Sequence, residues 1–125
     1  MFNSLQSVKN KFKGEILLAL DSRSYWRKDY YPEYKAHRKA GKDESDINYD
    51  EFYPVVDSIV QIIRDAFPFK VLQIDKAEAD DIAGVITREY SSSREIILVT
   101  SDHDWAQTFE YKNINKHKLQ STLCN

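Results

Sequence analysis

The chain has 125 residues, of which 42% are hydrophobic and 30% charged, with only three glycines and three prolines. That is too apolar for a disordered chain and too charged for a membrane protein, and it suffices for one domain with one core. A net charge of −2 gives no bulk argument for a nucleic-acid partner, and the single cysteine, Cys124, excludes an internal disulfide and a thiolate metal cage.

Phe2, Leu5, Val8 and Phe12 recur at helical spacing, so an amphipathic helix opens the chain. Lys9, Lys11 and Lys13 suit its C-terminal end, and Gly14 marks its stop. The start shows no basic-then-apolar leader and no run approaches the ~20 residues of a membrane span, so a cytoplasmic chain is expected. The run from Glu15 to Asp21 is continuously apolar between its two acids, as in a strand buried on both faces of a parallel sheet. The stretch from Arg23 to Lys42 follows, with seven cations against Asp29 and Glu33 and with Tyr25, Trp26, Tyr30, Tyr31 and Tyr34 interleaved. Cations for phosphates and aromatic faces for bases are what single-strand binding requires, although a solvated charged face over packed aromatics would read the same way.

A second helix is expected from Asn48 to Ala66, with Phe52, Val55, Val56, Ile59, Ile62, Ile63 and Phe67 on one face and Pro54 within its first turns. Phe69–Ile74 is a second strand. Glu78–Tyr90 is a helix with Ile82, Val85, Ile86 and Tyr90 spaced for burial, closed by the polar turn Ser91-Ser-Ser93. Glu95–Thr100 is the clearest strand, and a short helix runs from His103 to Phe109. The rhythm of strand, helix, strand, helix, strand predicts an α/β fold with parallel strands. Residues 1–112 form the core, and 113–125 form an irregular tail without periodicity.

In an open parallel sheet, active groups gather beyond the carboxyl ends of the strands. Asp21 ends the first strand, Glu78, Asp80 and Asp81 follow the second, and Asp102 and Asp104 follow the third. Taken singly, each set reads as helix capping or a turn. Three sets at three successive strand ends point instead to cations that offset their mutual repulsion, and oxygen-only ligands favour Mg²⁺ or Mn²⁺. No Ser-His-Asp order or glycine-rich phosphate loop offers other chemistry.

The segment Tyr25-Trp-Arg-Lys-Asp-Tyr-Tyr-Pro-Glu-Tyr-Lys-Ala-His-Arg38 resembles the helical arch of the phage and bacterial 5′→3′ exonuclease family, which includes flap endonucleases and phage ribonuclease H-like enzymes. Glu78-Ala-Asp-Asp81 and Thr100-Ser-Asp-His-Asp-Trp105 resemble that family's second and third acidic motifs, in the same order and spacing. The resemblance implies a three-layer, parallel-sheet, PIN-like 5′-nuclease core with an arch insertion. It implies two Mg²⁺ (or Mn²⁺) ions, with Asp21, Glu78 and Asp80 around the first and Asp81, Asp102 and Asp104 nearer the second. Lys35 and Arg38 match arch cations facing the scissile phosphate, and Arg27 matches a further cation on the phosphate path. Tyr30, Tyr31 and Tyr34 match positions for base stacking, with packing between arch helices as the alternative. The implied activity is hydrolysis of phosphodiesters in DNA or RNA–DNA hybrids with a free 5′ single strand, as in removing RNA primers and 5′ flaps during replication.

Two departures from the family pattern are expected to matter. An acid on an earlier strand and the aspartates beyond the third strand have no match here, so the chain reads as an incomplete core with weak or absent activity and a tendency to aggregate. A non-catalytic nucleic-acid-binding fragment is the main alternative. A Mg²⁺-dependent phosphatase is disfavoured because Asp21 is followed by Ser22-Arg23 rather than by an aspartate two residues on. A toxin-type ribonuclease is disfavoured by the long basic, aromatic segment.

Overall fold

The computed structural model describes residues 2–24, 26–35, 47–102, 104–105 and 114–117. The described chain divides into two compact units, Met1–Ala77 and Glu78–Asn125. No described helix is long and apolar enough to cross a membrane.

In the first unit, helix α1 (Phe2–Lys11) leads to strand β1 (Leu17–Leu20), and a short helix α2 (Trp26–Tyr30) precedes helix α3 (Tyr49–Ala66) and strand β2 (Lys70–Gln73). Lys9 Nζ, near the basic end of α1, donates to the carbonyl of Gly14 at 3.2 Å, in the turn that follows the helix. β1 and β2 pair in parallel, with Leu17 opposite Lys70 and Leu20 opposite Gln73. Asn48 caps α3, its side chain accepting from the Asp50 N–H at 3.2 Å. Pro54 removes one backbone bond near the start of the helix, where the ladder is just beginning.

The apolar face expected on α3 is wider than the one that is buried. Ile63 is buried and Val56, Ile59 and Phe67 are half-buried, but Phe52, Val55 and Ile62 are exposed. The inward stripe is Tyr49, Tyr53, Val56, Val60, Ile63 and Phe67, at alternating spacings of four and three, and α3 packs on β2. Phe52, Val55 and Ile62 fall one step around the helix, beyond the roughly 100° that a single packed face covers. Phe67 and Phe69 stack with ring centroids 5.6 Å apart where the chain turns from α3 into β2.

The second unit contains helix α4 (Ala79–Tyr90), strand β3 (Ile96–Val99) and strand β4 (Ile114–His117). Ile82, Ala83 and Thr87 on α4 and Leu98 on β3 are buried. Val85 and Tyr90 are exposed where burial was expected, because the packed stripe follows 82, 83, 86 and 87. Thr87 Oγ1 donates to the Ala83 and Gly84 carbonyls at 2.8 and 3.0 Å, so this buried hydroxyl is satisfied within its own helix. The polar turn at 91–93 forms as expected, with the Ser91 N–H on Thr87 O and the Ser93 and Arg94 N–H groups on Tyr90 O.

The three expected strands are present, and the helices lie between them in the expected order. Among the described residues, the strands form two parallel pairs, β1–β2 and β3–β4. β4 pairs with β3 with Ile96 opposite Ile114 and Val99 opposite His117, within the stretch expected to be irregular. Its sequence, Ile-Asn-Lys-His, has one apolar residue and no alternation to read. Of the helix expected from His103 to Phe109, only a 3₁₀ turn at Asp104 and Trp105 falls within the described residues.

Candidate functional site

The two loops that follow β1 and β2 are laced together by backbone and hydroxyl groups. Asp21 is exposed at the end of β1, and its carbonyl accepts from Gln73 Nε2 at 3.1 Å. The next residue, Ser22, is buried. Its N–H donates to the Ala77 carbonyl at 2.9 Å, and its Oγ accepts from the N–H groups of Ser24 and Lys76 at 3.3 and 3.1 Å. Ser24 Oγ donates to Asp75 Oδ1 at 3.3 Å. The turn from Ile74 to Ala77 closes through the Ala77 N–H on Ile74 O at 3.1 Å, with Lys76 at φ 61°. A shallow groove lies over this lacing, lined by Ser22, Arg23, Ser24, Asp57, Gln73 and Asp75. Arg23 donates to Asp57 Oδ2 at 2.5 Å and lies 4.9 Å from the Tyr53 ring centre, so its charge is already engaged.

The basic, aromatic segment begins at α2. Trp26 and Tyr30 meet edge to face at 6.2 Å, and the Arg27 guanidinium lies 4.5 Å from the Trp26 ring centre and 5.9 Å from that of Tyr34. Lys35 Nζ lies 5.0 Å from the Tyr34 ring centre, and its backbone is left-handed at φ 56°. Tyr34 is therefore a half-buried platform between two cations. Tyr30 is 85% exposed and Tyr31 59% exposed, with the Tyr31 hydroxyl donating to Glu33 Oε2 at 3.1 Å. Of the aromatics expected to stack or pack, these two face solvent and Tyr34 is packed. Tyr25, Arg38 and the rest of the basic stretch to Lys42 lie outside the described residues.

In the second unit, Glu78, Asp80 and Asp81 each offer a carboxylate oxygen such that all three lie within 4.8 Å of one another. Glu78 is the N-cap of α4 and only 3% exposed, while Asp80 and Asp81 are half-buried. Part of this arrangement is capping. The Glu78 N–H donates to Asp81 Oδ2 at 3.0 Å, the Glu78 carboxylate takes the reciprocal bond from the Asp81 N–H, and that N–H also donates to Asp80 Oδ1 at 3.0 Å. The positive end of the helix dipole favours all three charges. Capping engages all three carboxylates, and it also sets three acids in a small space with one of them buried, where a bound cation would offset their mutual repulsion. An all-oxygen set of this kind fits a hard divalent ion.

Asp102 and Asp104 follow β3 and are exposed. The Asp102 N–H donates to Thr100 Oγ1 at 3.0 Å and the Asp104 N–H to Asp102 Oδ1 at 2.9 Å, an aspartate turn that opens the 3₁₀ turn. Among the described residues, neither joins the three-acid group. Asp21 belongs to the first unit. Ser22 and Lys76, which organise the loops of the first unit, are absent from the acid and cation sets that the sequence singles out.

Residues 1–123 match the family described as the N-terminal resolvase-like domain of 5′-3′ exonucleases. The chain is 29% identical over 116 residues to ribonuclease H of Enterobacteria phage T4, covering 90% of this chain and 38% of the phage protein. It is 37% identical over 98 residues to a 5′-3′ exonuclease of Mycobacterium tuberculosis, covering 74% of this chain and 30% of that one. It is 30% identical over 112 residues to DNA polymerase I of Caldicellulosiruptor bescii, covering 88% of this chain and 12% of the polymerase. The chain thus spans well under half the length of each of these relatives. Its backbone superimposes on that of the phage T5 5′-exonuclease, solved with divalent metal ions (zinc) bound, with a TM-score of 0.75 and 18% identity, over 94% of this chain and 45% of the T5 protein.

Proposed function

The chain belongs to the family of 5′-3′ exonuclease N-terminal resolvase-like domains, and from that premise we propose that it forms the core of a Mg²⁺-dependent 5′→3′ nuclease. Its substrates are DNA or RNA–DNA hybrids with a free 5′ single strand, and its task is the removal of RNA primers and 5′ flaps during replication. Family membership sets aside the phosphatase and toxin-type readings. The observation that carries the proposal is the three-acid group at the start of α4, on a chain of nuclease lineage.

In this reading Glu78, Asp80 and Asp81 hold a divalent ion, and Asp21, Asp102 and Asp104 complete a two-ion set. Bound there, such ions supply Lewis acidity toward a phosphoryl oxygen and a source of hydroxide near neutral pH. The chain's other residues bind and orient. Tyr30 and Tyr31, both exposed, stack on bases of the entering single strand, and Arg27 meets its phosphates. Lys35 and Arg38 offset the charge that develops on the non-bridging oxygens of the scissile phosphate. Lys35 has a left-handed backbone, and its ammonium lies over the Tyr34 ring.

The test uses the full 125-residue chain in excess over a 3′-labelled 5′-flap DNA. Slow, Mg²⁺-dependent shortening from the 5′ end is expected, silenced by chelation and by Asp80→Asn. Binding of the flap without any metal-dependent cleavage would favour the non-catalytic binding reading instead.

A further inference from the structure

The turn after β2 grips the start of the basic, aromatic segment through a residue that the proposed chemistry does not use. Lys76 commits three groups to the stretch between Ser22 and Asp29. Its N–H donates to Ser22 Oγ at 3.1 Å, its carbonyl accepts from the Trp26 N–H at 2.8 Å, and its ammonium donates to Asp29 Oδ2 at 2.7 Å. Its φ of 61° is a conformation that glycine and asparagine adopt far more readily than lysine. What lysine adds over glycine here is the side chain that reaches Asp29. That residue sits on α2, between Arg27 and the exposed Tyr30 and Tyr31. A helix of five residues has no stability of its own and keeps its shape only through such tethers.

We propose that Lys76 is a positioning residue for nucleic-acid binding: a latch that, through Asp29 and the backbone of Trp26, holds α2 so that Arg27, Tyr30 and Tyr31 meet one single strand together. This rests on the nuclease reading above. The hydrogen bond and charge of Asp29 hold the Lys76 ammonium above its ordinary pKa. The pair is about half exposed on both sides, which makes it a modest tether rather than a structural pillar.

A purely electrostatic role for these residues predicts the opposite sign at Asp29. Removing an acid beside the phosphate path should tighten binding, whereas releasing the latch should weaken it. The measurement is anisotropy of a 3′-fluorescein single-stranded DNA with the full chain in EDTA. Asp29→Asn and Lys76→Gln are each expected to weaken binding about three- to fivefold. The exchange of Asp29→Lys with Lys76→Asp should recover most of the affinity, because aspartate tolerates the left-handed backbone. In a Trp105→Phe background, Asp29→Asn should also shift Trp26 emission to the red without any DNA present. Wild-type binding with Asp29→Asn equal or tighter, an exchange no better than the single variants, or an unmoved Trp26 emission would each overturn the latch. A wild-type chain that shows no salt-sensitive binding at all would overturn the nuclease reading itself.

Discussion

Glu78 sits where capping chemistry prefers a shorter side chain. Ser, Thr, Asn and Asp lead at the N-cap, and a glutamate as buried as Glu78 carries a desolvation cost that a serine would not. If the carboxylate serves the cap alone, Glu78→Ser should be neutral or stabilising for α4 and nothing else should change. If it serves a metal, the consequence is separable. Metal-free amide exchange in the first turn of α4 should be as slow in Glu78→Ser as in the wild type, while added Mn²⁺ should slow it further only in the wild type. Loss of α4 protection in the metal-free variant, or an equal Mn²⁺ effect in both proteins, would contradict the assignment. These acids were legible in the sequence because they are adjacent to one another and follow a strand. Ser22 and Lys76 were not. Their roles depend on partners 54 positions apart along the chain and on a left-handed φ at Lys76, for which lysine has no sequence signature.

At the level of elements, apolar period and caps fixed α3 well but not which of its two apolar stripes is buried. Asn48, Pro54 and the run to Phe67 defined its span, and packing on β2 chose the Tyr53, Val56 and Ile63 side over the Phe52, Val55 and Ile62 side. Adjacent residues therefore differ sharply. Ile63→Ala should lower amide protection along α3 by the equivalent of about 2–5 kcal/mol or to the limit of its stability, and Ile62→Ala by no more than about 0.5 kcal/mol. Hydrogen exchange read by mass spectrometry checks this, and equal effects would mean that the second stripe is also covered. β1 and β3 were readable as continuous apolar runs, Leu-Leu-Ala-Leu and Ile-Ile-Leu-Val. β4 was not, because its place is set by the ladder to β3 and only Ile114 contributes apolar character.

For the molecule as a whole, sequence order and spacing carried the fold class, and the T5 5′-exonuclease backbone bears it out. Among the described residues, Glu78, Asp80 and Asp81 form one group at the head of α4, Asp102 and Asp104 form an aspartate turn after β3, and Asp21 belongs to the first unit. Four apolar residues, Ile63, Ile82, Ala83 and Leu98, are buried among the described residues, while Leu17, Phe52, Val55, Ile62, Ile74 and Val85 remain exposed. Such surface is what the expected tendency to aggregate would rest on. The claim on which the functional account turns is narrower than the fold. It is that the acids at the head of α4 bind a divalent ion in the intact chain. Titration of the 125-residue chain with Mn²⁺, followed by the electron paramagnetic resonance of the free ion, reads this directly. The account predicts saturable binding that Mg²⁺ displaces and that Asp80→Asn weakens about tenfold or more; binding that is absent, or unchanged in Asp80→Asn, would contradict it.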